Sequence, residues 1–223
     1  MSKTIIIDTA DRAFDMCLDY VCDKEEIRHP SELDFGKGWS LVKKEWTRVI
    51  QKLNMLDSSI LILSHETLKK HKLKKVELDR FQPDLNKSGL NIIEDLSDII
   101  LHYNYADNDA PMLFSRGVGD RMAGCRGGQL SAQIKPTFED IEKDMLACIG
   151  GVYGELNPTI TIYGPPKIGK STLGSTFPNA VFADFENGLK WLNVEKTLIK
   201  TWEDFLAFCA KIADDINNEK GEE

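Results

Sequence analysis

The chain has 223 residues, a formal net charge of −8, hydrophobic residues at 42% and five cysteines. Its length suits one domain with a substantial core, and its acidic balance confines any polyanion site to a local basic patch. It has no run of 18 apolar residues and so no helical membrane span; the cysteines form no C-x-x-C pair, which argues for a reducing cytoplasm and against a metal site.

Met1-Ser2-Lys3 leads directly into Ile5-Ile6-Ile7, without the layout of a signal peptide. Thr4-Ile5-Ile6-Ile7-Asp8 is a short apolar run ending in a carboxylate. A buried strand of this kind delivers one Asp to the sheet edge, where it can hold the hydration shell of Mg²⁺. The plainer reading is an ordinary strand whose Asp8 caps the next helix, as Thr9-Ala10-Asp11 could equally do. A helix is predicted from Arg12 to Cys22, followed by a polar loop, Asp23 to Gly38. Trp39, Val42, Trp46, Val49, Ile50, Leu53 and Leu56 then recur at three- and four-residue spacing, an amphipathic helix with both Trp in its apolar stripe.

Ile60-Leu61-Ile62-Leu63 is a second strand, ending at Ser64-His65-Glu66. A polar His65 at the C-terminal edge of an open α/β sheet lies where ligands bind and could sense a γ-phosphate; as a lone His it could equally be structural. Glu66 to Leu90 reads as a long loop. It carries seven basic residues (Lys69, Lys70, Lys72, Lys74, Lys75, Arg80, Lys87) against four acids, a local charge of +3, with Phe81 interleaved. Such a loop is either a solvated surface or a track for single-stranded nucleic acid, with Phe81 as a stacking face.

Asp98 to Tyr103 is a third strand. Met112 to Arg116 and the Gly/Arg-rich stretch Gly117 to Gly128 suggest a hairpin with a mobile tip, whose Arg116, Arg121 and Arg126 are either arginine fingers or solubilising charges. Thr137 and Asp140 occupy capping-box positions for a helix reaching Cys148. Val152 to Pro158 reads as a linker.

Thr159-Ile160-Thr161-Ile162-Tyr163 is a fourth strand, and Gly164-Pro165-Pro166-Lys167-Ile168-Gly169-Lys170-Ser171 follows it directly. This fits G-x-x-x-x-G-K-[ST], the P-loop, with Ser171-Thr172-Leu173 opening a helix. Glycines let successive backbone N–H groups curl around a phosphate. Lys170 would reach the β- and γ-phosphates of ATP, and the Ser171 hydroxyl would ligate Mg²⁺. Ala180 to Asp184 is a fifth strand, leading into Phe185-Glu186-Asn187-Gly188. Thr201, with Asp204 three residues on, caps a last helix with Phe205, Phe208, Cys209 and Ile212 inside; Asn217 to Glu223 reads as a frayed tail. A P-loop normally follows the first strand of its domain. Here too few strands lie after it to complete a sheet, so the missing ones must precede it.

Gly164–Ser171, Asp184-Phe185-Glu186, Ile7-Asp8-Thr9 and Leu63-Ser64-His65 together resemble the RecA-like P-loop ATPase core, and most closely the phage-encoded AAA-type ATPases of single-strand annealing and recombination. The wording of Tyr163-Gly164-Pro165-Pro166, Ser175-Thr176-Phe177-Pro178 and Phe35-Gly36-Lys37-Gly38-Trp39 is similar as well. The resemblance implies an α/β three-layer sandwich with a mostly parallel central sheet. It implies Glu186 as general base, Asp8 as Walker B carboxylate and His65 as γ-phosphate sensor. Expected partners are single-stranded DNA, further copies of the chain in a ring or filament, and a single-strand binding protein; the expected location is the cytoplasm of a bacterial host.

That family runs Walker A, Glu strand, Walker B, sensor, hairpin. This chain runs Walker B, sensor, hairpin, Walker A, Glu strand, and so resembles a circular permutant. Residues 1–145 would hold the first part of a single domain, 146–158 the new junction and 159–223 the P-loop part. The implied strand order is third, fourth, second, first, fifth, with the chain ends close together. Two other functions fit the residues: a P-loop kinase of a nucleotide or small metabolite, with Gly117–Gly128 as its lid, and a nucleotide-gated DNA-binding module with little turnover.

Overall fold

The computed structural model describes residues 3–73, 76–117, 119–149 and 153–221. In chain order they form β1 (Thr4–Asp8), α1 (Ala10–Lys24), α2 (Lys37–Asn54), β2 (Ser59–Leu73), β3 (Val76–Pro83), α3 (Lys87–Leu96), β4 (Ile99–Tyr105), β5 (Pro111–Phe114), β6 (Gly124–Cys125) and β7 (Gln133–Ile134). There follow α4 (Phe138–Ile149), α5 (Tyr153–Leu156), β8 (Thr159–Gly164), α6 (Lys170–Gly174), β9 (Ala180–Asp184), β10 (Glu195–Leu198) and α7 (Trp202–Gly221).

Five parallel strands make the centre of the sheet in the order β4-β8-β2-β1-β9. This is the order that the resemblance implies, with the late P-loop strand β8 between β4 and β2. β10 adds a parallel edge strand beside β9, whereas β5 and β7 extend the β4 side antiparallel. β1 and β8 are buried along their whole length. That suits their β-branched sequences, Ile5-Ile6-Ile7 and Thr159-Ile160-Thr161-Ile162, since a parallel sheet is covered on both faces. Alternate residues divide between two cores. Ile5, Ile7, Ile60 and Ile62 pack with residues of α1, α2, α3 and α7; Ile6, Leu61 and Leu63 pack with residues of α4 and α6. Trp46 lies in the first core, against Phe14 at 5.3 Å and Trp202 at 5.9 Å between ring centroids. Trp39 is half-buried, edge-on to His29.

The expected long loop after Glu66 is instead a ribbon. β2 continues to Leu73 and pairs antiparallel with β3, from Glu66 opposite Pro83 to Leu73 opposite Val76, and α3 begins at Lys87. The Gly/Arg-rich stretch is no open tip. Phe81 bridges to Arg121, and β6 pairs with β4, fixing it at two points. The expected linker contains the helical turn α5, and α7 carries the supposed tail as far as Gly221. The α7 capping box forms as read: Thr201 N donates to Asp204 Oδ2 at 3.0 Å, and Asp204 N donates to the Thr201 hydroxyl at 3.2 Å.

Candidate nucleotide site

The P-loop leaves β8 at Gly164, where a Cβ would lie 2.1 Å from the Tyr103 carbonyl oxygen, so only glycine fits. Gly169 turns the chain at a φ of +107°, a conformation that excludes ordinary side chains. Lys170 is 6% exposed and folds back, its Nζ donating to the carbonyls of Gly164 and Pro165 at 2.9 Å each. Burial pushes its ammonium pKa down, and the carboxylates of Asp8, Asp11, Glu66 and Glu186 oppose that shift. α6 is only five residues long, so the loop's amides matter more here than a helix dipole.

Asp8 and Asp184 are register partners at the ends of β1 and β9. Burial raises the Asp8 carboxyl to about 6, with a bond from the Ser171 hydroxyl working against it and the charges of Asp184 and Glu186 adding to it. Asp184 has another task. Its oxygens accept from the backbone N–H groups of Glu186 and Gly188 at 3.2 Å and of Leu189 at 3.3 Å, which shapes the turn that carries Glu186. The pair able to hold Mg²⁺ is therefore Asp8 and Ser171, two hard oxygen donors already hydrogen-bonded beside the phosphate loop.

His65 ends the parallel part of β2, opposite Gly164. Its Nδ1 lies 2.9 Å from Asp11 Oδ2 and 3.9 Å from Glu186 Oε1. The bond to Asp11 raises the imidazole pKa. For Asp11, burial acts upward, but the bonds from His65 outweigh it and leave the carboxyl lowered. Asp11, His65 and Glu186 offer ligand atoms within 4.8 Å of one another, a closeness the Asp11–His65 hydrogen bond accounts for. Lys170, Ser171, Asp8, His65 and Glu186, scattered through the sequence, thus meet at one sheet edge.

Two residues of this region escape a reading of the sequence. Asp11 reads there only as a helix cap, although its place three residues beyond Asp8 is a signal. His102, in β4, carries no motif, although it ends the parallel pairing of β4 with β8 much as His65 ends that of β2. It is 1% exposed, stacked between Tyr163 at 4.7 Å and Phe81 at 5.4 Å, and 2.7 Å from Glu66 Oε2. The Phe81 ring is thus engaged by a neighbour instead of standing open for a base.

On the ribbon, Lys69 faces Arg80 across the ladder and Lys70 faces Asp79. Lys72 stands in register with Glu77; Lys74 and Lys75 lie outside the described residues. A cavity of about 310 Å³ between the ribbon and α3 is lined by Lys69, Lys70, His71, Arg80 and Lys87 among others. Of the three arginines, Arg121 is held by Asp120 at 3.0 Å and lies 4.2 Å from the Phe114 ring. Arg126 donates to the Asp95 carbonyl, near the opposite edge of the sheet. Arg116 is exposed.

A family model described as an AAA domain matches residues 1–132 and 156–221. Neither the curated proteins nor the solved structures give a match. Among the described residues, no helix is long and apolar enough to cross a membrane.

Proposed function

The chain belongs to this AAA domain family, a nucleotide-binding ATPase type, and from the motif resemblance we propose a RecA-like ATPase that acts on single-stranded DNA in phage recombination or strand annealing. The observation that carries the reading is the meeting of Lys170, Ser171, Asp8, His65 and Glu186 at the C-terminal edge of the parallel sheet. That edge is where open α/β sheets bind ligands.

Lys170 exchanges its two loop carbonyls for β- and γ-phosphate oxygens of ATP, while the loop amides cradle the phosphates. Mg²⁺, as used by AAA-type ATPases, would be held by Ser171 and Asp8 and supplies charge neutralisation at the phosphates. Glu186 orients the attacking water and takes its proton; the turn capped by Asp184 fixes where that carboxylate stands. His65 reads the γ-phosphate at the root of the ribbon, whose Lys69 and Arg80 meet the phosphates of a single strand. The exposed Arg116 is the finger candidate for a neighbouring copy, so a homo-oligomer is part of the reading. The central place of the late strand β8 supports a circularly permuted order, and the unmatched residues 133–155 overlap the expected junction.

Measuring ATP turnover with and without single-stranded DNA tests this. DNA-stimulated phosphate release supports the reading. Turnover that needs a small acceptor and ignores DNA would establish a kinase instead, and nucleotide and DNA binding without turnover a gated binding module.

A further inference from the structure

We propose that Asp11 is a positioning residue: it holds the His65 ring so that Nε2 faces the γ-phosphate of ATP while Nδ1 stays beside Glu186. This rests on the nucleotide-site reading above and assigns a role to a residue that no P-loop motif contains. The geometry is a clamp. One oxygen of Asp11 accepts from the His65 backbone N–H at 3.1 Å, and the other binds its Nδ1 at 2.9 Å. The Ser64 hydroxyl, itself 2.9 Å from the His65 carbonyl, lies 3.3 Å from the first oxygen. A single carboxylate on α1 therefore fixes both the end of β2 and the ring that projects from it. Among the described residues no hydrogen bond reaches Nε2, so that nitrogen is available to a ligand.

The clamp also decides where His65 does not go. Glu186 Oε1 is 3.9 Å from the same Nδ1, too long for a hydrogen bond but close enough to compete. Without Asp11 the ring would turn onto Glu186 and engage the carboxylate that the attacking water needs. An ionised Asp11 accepts a hydrogen bond from Nδ1–H and favours the imidazolium form, whose Nε2–H donates to a phosphate oxygen. An amide in its place carries no charge to favour the imidazolium, so the charge-assisted hydrogen bond from Nε2 to the phosphate is lost.

The test uses the full chain with Mg²⁺, the variants Asp11→Asn, His65→Ala and the double substitution. Steady-state turnover is measured beside equilibrium binding of ATPγS and of ADP. For Asp11→Asn, kcat should fall about tenfold to a hundredfold and the preference for ATPγS over ADP about tenfold, the size of one charge-assisted hydrogen bond. ADP affinity should be unchanged. Because Asp11 acts through His65, the double variant should lose no more than His65→Ala alone, and Asp11→Glu should restore part of the loss. Additive losses, or an Asp11→Asn variant with parental kcat and parental preference, would overturn the proposal. Failure of the hydrolysis reading looks different: a parent that turns over no ATP yet prefers ATPγS, with that preference lost in both single variants, leaves Asp11 in its role. A parent that does not distinguish the two nucleotides overturns it.

Discussion

Lys170 and Asp8 are opposite charges buried at one sheet edge, and burial disfavours the charged form of each. Because the hydrogen bonds of the Lys170 ammonium among the described residues go to loop carbonyls, Lys170→Ala should leave a cooperative melt close to the parent's while abolishing productive nucleotide binding. Unchanged affinity in a nucleotide titration would end the P-loop assignment. Glu186→Gln should keep ATP binding and lower hydrolysis by about 10²-fold or more, as loss of a general base does; near-normal turnover would move that role elsewhere, with Asp8 the next candidate. Asp8 gives a pH prediction. Its carboxyl is raised from an ordinary 3.8 to about 6 in the folded chain. Below about pH 4 the folded and unfolded chains both carry the proton, and no cost arises. Above about pH 6 both are ionised, and the folded chain bears the full burial cost, of the order of 3 kcal/mol. Asp8→Asn should therefore stabilise the metal-free protein more at pH 8 than at pH 5, and a melting difference independent of pH would contradict the assignment.

At the scale of elements, four of the five central parallel strands were legible because each is a buried, mostly β-branched or apolar run whose parallel part ends in a chemically distinctive residue: Asp8, His65, Gly164, Asp184. The ribbon was not. From Leu68 to Leu73 the sequence carries Lys and His at successive positions, so neither the period of a strand nor that of a helix stands out, and pairing between β2 and β3 decides the conformation. That pairing sorts the charges. Lys70 faces Asp79, which balances it, whereas Lys69 faces Arg80, a like-charge pair that destabilises an isolated ribbon. An anionic strand removes that repulsion. Lys69→Glu with Arg80→Glu should weaken single-stranded DNA binding and reduce the log–log salt slope by about 0.7 for each phosphate no longer neutralised. Lys70→Glu should change the slope less. Equal slopes in the double variant and the parent would move the DNA away from this face of the ribbon.

The molecule as a whole returns to one oddity, a P-loop strand that comes late in the chain yet lies at the middle of the sheet. The strand order was readable because the motifs resemble the RecA-like core, in which the sensor strand lies between the P-loop and Walker B strands, and that resemblance implies β8, β2 and β1 as neighbours. Asp11 and His102 were not readable, because their roles depend on hydrogen bonds made only after the sheet assembles: Asp11 across α1 to β2, His102 across β4 to Glu66. If the order is a circular permutation, the chain should tolerate being returned to the other order. Lys3 Nζ lies 3.8 Å from Asp215 Oδ2, which brings the start of β1 beside the last turns of α7. From Asp215 to Gly221 the helix rises only about 9 Å, a gap that a few linker residues cross easily. A chain joined from residue 223 to residue 1 through a short Gly/Ser linker, and opened between Ile149 and Tyr153, should begin near the P-loop strand and fold to the same sheet. Its melt should stay cooperative, and its affinity for ATP should match the parent's within a few-fold. A soluble, cooperatively melting product that no longer binds ATP would mean that the present order of elements is needed to bring Lys170, Ser171 and Asp8 together.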